Sequence, residues 1–289
     1  MNPITDEVIA VTTMLSPMGT GTAGTTAFGR QLRLWRARAR LSQLELAMRA
    51  DISQRHLSFI ETGRSRPRAA VVLRLAEALG IPLRDRNRLL ESAGLAARYP
   101  EVELTAGANA PFRAAIVRLL AAHEPYPAFV IDRWWNVVDA NLAARRLFPT
   151  SAIGSVNAID ALLGPGGLRD NVENLAQVAG MYLRRLEAEV SEAPDERRLE
   201  ILSRARELLA DVVVGDVEPD DGLVICPRLR FGNEVVSTAT MVARFGATRE
   251  VTLDELRVEL IFPADAAADA FFTRQAASPR AGGLGDVAG

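Results

Sequence analysis

The chain has 289 residues and a formal net charge of -2, with 48% hydrophobic and 24% charged residues; that is ample for a buried core and suggests two domains rather than one. All 34 cationic residues are arginine, for which a GC-rich genome is a simpler explanation than a functional choice. The single Cys226 and the two histidines, His56 and His123, exclude a disulfide framework and leave no convincing zinc constellation, and no apolar run approaches the roughly 18 to 20 residues of a membrane helix.

Residues 1–25 end in SPMGTGTAGTT, have no apolar period and read as a disordered leader, with Met14 or Met18 as alternative starts. Asp6 and Glu7 stand where a signal peptide needs basic residues, so a cytoplasmic location is expected. Phe28 to Ala39 spaces Leu32, Trp35 and Arg36 for a helix. The window LSQLELAMRADISQRHLSFIETG, Leu41 to Gly63, then carries two helices. Ser42-Gln43 opens the first, with Leu44, Leu46 and Ala47 inward; Ala50-Asp51-Ile52 makes a tight turn; Ser53 caps the second, with Leu57 and Ile60 inward. Two helices held at a fixed angle let the second lie in the major groove of DNA, which is a helix-turn-helix. Arg68 to Leu79 repeats Val71, Val72, Leu75 and Leu79 and stops at Gly80. A fifth helix starts at Pro82 and ends at Gly94.

An all-α domain over 26–98 follows, and its charge sets it apart. It holds 15 Arg against 6 acids, a net of +9, whereas 99–289 holds 19 Arg against 28 acids, a net of -9; residues 1–25 contribute the remaining -2. A basic head joined to an acidic body suits a DNA-binding domain with a separate regulatory domain.

Residues 99–110 read as a linker, and Pro111 to His123 as a helix. Ala128–Asp132 and Trp135–Asp139 look like paired strands turning at Arg133-Trp134, with Asn141 capping a helix through Leu147. Two longer helices, 171–189 and 195–213, are separated at Ala193-Pro194. Strands follow at 224–231 and 235–245 around Gly232-Asn233, then at 256–262, and a helix over 264–276; 277–289 is a flexible tail. The region 111–276 is therefore α+β, with helices on an antiparallel sheet. Cys226 reads as a buried strand residue, with a redox thiol as the minority reading, and Glu218-Pro219-Asp220-Asp221 as a solvated acidic loop rather than a metal site.

Residues 28–80 resemble the Xre family of lambda-repressor-like helix-turn-helix regulators. Leu-Ser-Gln, Leu-Ala, Ile-Ser, Ile-Glu-x-Gly-x-x-x-Pro and Leu-Ala-x-Ala-Leu-Gly all fall in register, with Asp51 where the family usually has Gly. Asp tolerates the left-handed conformation better than most residues. By position, the resemblance makes Gln43, Ser53, Gln54, Arg55, Ser58, Phe59, Thr62, Arg64 and Arg66 the DNA-facing set. Gln54 can pair with adenine and Arg55 with guanine, each contributing roughly 1 to 3 kcal/mol of discrimination. Phe59 either touches a thymine methyl or packs inward; Gln43, Thr62, Arg64 and Arg66 fall where phosphates are gripped. Arg36 and Glu61 match a structural ion pair of the family, and His56 reads as a groove-facing or solvent-facing polar residue before a pH switch.

RHLSFIETGRSRPR, PLRDRNRLLESAG, HEPYPAFVIDRWWNVVDAN and VTLDELRVELIFPADA carry a resemblance to the narrower MmyB-like regulators, whose second domain is PAS-like and takes a fatty-acid-like ligand in at least one member. Ala266-Ala267-Ala268 departs from that pattern, which often has Thr there. Phe129, Trp135, Val137, Met181, Tyr182, Phe231, Met241 and Phe245 are the candidate lining of an apolar pocket; for each, plain core filling is the competing reading. The expected protein is a homodimeric regulator of a double-stranded DNA operator, with an apolar small-molecule ligand, no cofactor, no membrane and no enzymatic role; an antitoxin-like protein whose second domain grips a partner protein is the alternative.

Overall fold

The computed structural model describes residues 26–147, 156–214 and 226–277. The leader 1–25, Phe148, the acidic loop 218–221 and nearly all of the tail lie outside these residues. The chain divides into two compact units, one through Tyr99 and one from Pro100.

The first unit is helical: α1 (Ala27–Arg38), α2 (Gln43–Arg49), α3 (Gln54–Glu61), α4 (Ala69–Ala78) and α5 (Leu83–Ser92). Local chemistry sets the boundaries. The Ser42 hydroxyl accepts from Glu45 N while the Glu45 carboxylate accepts from Ser42 N, closing a capping box on α2. Ser53 caps α3 through His56 N at 3.1 Å. Gly80 and Gly94 end α4 and α5 at φ +64° and +76°. Asp51 takes the left-handed turn position at φ +50°. Leu32, Leu46, Leu57, Ile60, Leu75, Leu89 and Leu90 converge on one core. Leu44, expected inward, is instead 52% exposed, as is Met48 at 73%. Two residues apart on a helix point to opposite sides, so a helix that buries Leu46 turns Leu44 outward.

The second unit contains α6 (Ala110–Ala122), β1 (Ala128–Ile131), β2 (Val137–Ala140), α7 (Leu142–Leu147), α8 (Ala158–Leu163), α9 (Leu175–Glu192), α10 (Glu196–Leu208), β3 (Arg228–Phe231), β4 (Glu234–Ala243), α11 (Val251–Glu255), β5 (Arg257–Pro263) and α12 (Ala266–Ala277). The strands form one antiparallel sheet in the order β2-β1-β5-β4-β3. With α7 to α10 inserted between the second and third strands, this is a PAS-like α+β arrangement. Residues 100–109, within the segment 99–110 read as a linker, are tied to this unit: Val251 N donates to Pro100 O, Val102 N donates to Glu250, and the buried Asn109 donates to Val102 O and Glu103 O.

Three further expectations shift. Trp135 is a turn residue at φ +63° and not the first strand residue. Asp132 causes this, because its carboxylate accepts from Trp134 N and Asn136 N and closes the chain on itself before β2 begins. Asn174 delays α9 to Leu175 by bridging Cys226 O and Arg228 N with its side chain. Cys226 is half-buried and lies before β3, outside any strand.

The register divides the sheet into two faces. Phe129 opposite Glu259, and Ile131 opposite Arg257, lie on the face covered by α8, α9 and α10, where the largest core forms. Val130 opposite Val258 and Ala128 opposite Leu260 lie on the other face, against Ile116 and Leu120 of α6 and Leu253 of α11.

Candidate nucleic-acid interface and sensor core

The geometry of the first unit rests on one buried carboxylate. Glu61, 1% exposed at the end of α3, accepts from Arg36 Nε at 2.7 Å and Nη2 at 3.1 Å, and from Gln43 Nε2 at 2.8 Å. Arg36 also donates to Leu41 O at 3.0 Å. One side chain therefore clamps α1, the start of α2 and the end of α3. The Arg36–Glu61 pair expected from sequence is present; Gln43 joins it, with one amide hydrogen on Glu61 and a second left for another acceptor. The helices can approach this closely because Gly29 has no side chain: a Cβ there would stand 2.3 Å from Glu61 O.

With Leu57, Ile60 and Glu61 buried, α3 turns Gln54 and Arg55 outward, both exposed at its first turn. Ser53 is exposed but acts through its cap bond to His56 N. Ser58 and Phe59 are half-buried one turn on, and Phe59 is not part of the core cluster of this unit. The Thr62 hydroxyl donates back to Ser58 O at 2.8 Å, so it has no hydrogen for a phosphate unless that bond breaks. Arg64 and Arg66 are exposed and make no ion pair among the described residues, and their loop is pinned by Arg64 N and Ser65 N donating to Phe59 O. A capped helix with outward Gln and Arg, followed by unpaired arginines, has the donors for both base edges and phosphates.

In the second unit the candidate lining residues separate. Phe129, Trp135 and Val137 are buried in the main core, and Tyr182 and Phe231 pack against it. Phe231 also stacks on Phe271 of α12, with ring centroids 4.8 Å apart. Phe245 belongs to the opposite face of the sheet, edge-on to Phe112. Met241 sits opposite Leu260 on that same face and is 61% exposed. Neither shares a surface with Phe129, since residues of opposite parity along a strand point to opposite sides. Met181 is half-buried and outside the core clusters.

Sequence reasoning missed a charged ring around Trp135. The indole, 1% exposed, donates to Glu189 at 3.1 Å and has the Arg185 guanidinium 4.5 Å from its centroid. Arg185 donates to Glu259 at 2.5 Å, and Arg257 holds Glu189 with two donors. Arg257 and Glu259 are 4% and 3% exposed, and the two arginines and two glutamates balance in charge. Burial, reinforced by Glu259, holds the Tyr182 phenol well above its usual range, so it stays neutral. Burial is the largest single influence on Arg185 and would lower it, but the hydrogen bond to Glu259 together with the charges of Glu259 and Glu189 outweighs it and the net shift is upward. The signal in the sequence was the alternation Arg257-Val-Glu259-Leu-Ile261, whose polar positions face the helices rather than water. The adjoining crevice, bounded by Trp135, Leu186, Glu189 and Arg198, has no enclosed space for even a water molecule.

A head built on a capped helix-turn-helix and a PAS-like body define a two-domain DNA-binding regulator. A family model described as "Helix-turn-helix domain" matches residues 27–89. The model described as "MmyB-like transcription regulator ligand binding domain" matches residues 112–274, more than half of the chain, and the chain belongs to that family. Among solved structures, one titled "Structure of an RNA-binding Light-Oxygen-Voltage Receptor" is matched at 13% identity and a TM-score of 0.24, over 96% of this chain and 68% of that one. No curated protein matches. Both families are regulatory, one binding DNA and one a ligand. Among the described residues no helix is long and apolar enough to cross a membrane, and no group of three or more His, Cys, Asp or Glu side chains is placed to hold a metal ion.

Proposed function

We propose that this chain is a sequence-specific, cytoplasmic transcription regulator that binds a two-fold operator as a homodimer and senses an apolar small molecule of the fatty-acid class. Gln54 and Arg55 read base edges; Gln43, Arg64 and Arg66 hold phosphates. The observation that carries the DNA reading is the outward placement of Gln54 and Arg55 on a helix capped by Ser53 and braced from behind by Glu61. Preorganised donors discriminate bases because an unpaired buried donor at a wrong base is costly. The ligand reading draws on Phe129, Trp135, Val137, Tyr182 and Phe231, which gather against one face of the sheet. That core is closed around Trp135, so a ligand enters by parting its side chains, and it alters DNA binding to the extent that it favours one arrangement of the dimer over another.

The test is selection of duplexes from a random library by the full chain, followed by titration of Arg55→Ala and Arg66→Ala over a range of salt. Arg55→Ala loses roughly 1 to 3 kcal/mol on the selected site and little on random duplex. Arg66→Ala weakens both equally and flattens the salt dependence by about one phosphate contact. Equal losses on both duplexes for Arg55→Ala would remove its role as a base reader.

A further inference from the structure

On α3 the helical spacing sets Arg55, which is exposed, and Phe59, which is half-buried, on the side away from Leu57 and Ile60. With Leu57 and Ile60 buried, positions 55 and 59 form the outer ridge of the helix, and they are one turn apart. Side chains on a helix lean toward its N-terminus, which carries the Phe59 ring back under Arg55. The Arg55 guanidinium carbon lies 5.3 Å from the Phe59 ring centroid, within the range of a cation–π contact. Arg55 has no carboxylate partner among the described residues, so the ring is the group that orients it. The backbone that carries the ring is held, because the Phe59 carbonyl accepts both Arg64 N and Ser65 N where the chain leaves α3.

We infer that Phe59 is a positioning residue: it acts on base recognition through Arg55 by holding the guanidinium over its ring, and it does not read a base itself. An arginine reading guanine must present two donors in one plane, and a long side chain loses much of its rotamer freedom in doing so. A ring face beneath the guanidinium restricts that plane before DNA arrives. The same stack leaves the edge donors of the guanidinium available, which a carboxylate partner would not. This inference rests on the assignment of Arg55 as a base reader.

The experiment selects duplexes from a random library with the full chain, then with Arg55→Ala, Phe59→Leu, Phe59→Tyr and the double variant Arg55→Ala/Phe59→Leu. The base preference lost in Arg55→Ala identifies the Arg55 position. At that same position Phe59→Leu lowers the preference about two- to five-fold, as an exposed cation–π contact implies. Phe59→Tyr, which keeps the ring face, retains it, and the double variant is no worse there than Arg55→Ala. Three results overturn the inference: Phe59→Leu leaves that preference intact, it loses a thymine preference at a different position, or its loss adds to that of Arg55→Ala. If the parent chain enriches no motif, or Arg55→Ala keeps the whole motif, the base-reading assignment has failed and this inference falls with it. General loss of folding is recognised by an equal loss on random duplex.

Discussion

Glu61→Ala tests the frame on which the DNA-facing side chains stand. The substitution removes the acceptor for three hydrogen bonds, two from Arg36 and one from Gln43, and leaves a partly buried guanidinium facing no anion. Removing one partner of a buried pair typically costs about 3 to 5 kcal/mol. The Arg36 side chain is 19% exposed, and Gln43 is half-buried, so both regain some contact with water. The lower end, about 3 kcal/mol, is therefore expected. In a helical unit of this size that lowers its melting temperature by about 12 to 24 °C. Hydrogen exchange on the full chain, read by mass spectrometry, localises the effect: amides of α1 to α5 lose about 100-fold in protection if they exchange through unfolding of that unit. Peptides of the β-sheet stay unchanged. Combining Glu61→Gln with Arg36→Met, which removes both charges while keeping an acceptor for Gln43, recovers part of the loss. A change below about 0.5 kcal/mol for Glu61→Ala, or an equal change in both units, would refute the account of Glu61 as the clamp of three helices.

Gly29→Ala gains helix propensity of up to about 1 kcal/mol but drives a Cβ against the Glu61 carbonyl, 2.3 Å away, where backbone cannot yield cheaply. A net loss of about 1 to 2 kcal/mol in the first unit is expected from denaturant titration; stabilisation would show that α1 and α3 are not in close contact there. For the second unit, a saturated fatty acid added at 100 times its dissociation constant stabilises by about 2.7 kcal/mol, raising that unit's melting temperature by about 5 to 11 °C. Unchanged melting across a series of chain lengths, with no lipid retained in native mass spectrometry, would count against the fatty-acid class.

The first unit was legible because its determinants are local. Capping at Ser42 and Ser53, the stops at Gly80 and Gly94 and the turn at Asp51 each depend on a few neighbouring residues, and each stands where the spacing placed it. The ion pair of Arg36 and Glu61 was legible only through family resemblance, since 25 residues separate the partners. Leu44 was misread because apolar identity does not specify direction on a seven-residue helix whose core side is already taken by Leu46 and Ala47.

In the second unit, periodicity located the helices and strands but left open which strand face meets which layer. Alternation along a strand says that two faces differ; only the order β2-β1-β5-β4-β3 says which residues share a face. That order sent Met241 and Phe245 away from Phe129 and Trp135. It also brought Arg257 and Glu259 beneath α9, to meet Glu189 and Arg185 across 68 and 74 residues of chain. Composition, caps and local periods thus determined that this protein has a basic helix-turn-helix head and an α+β body. Long-range register decided the interior of that body, because the interactions that choose it join residues that share no local pattern.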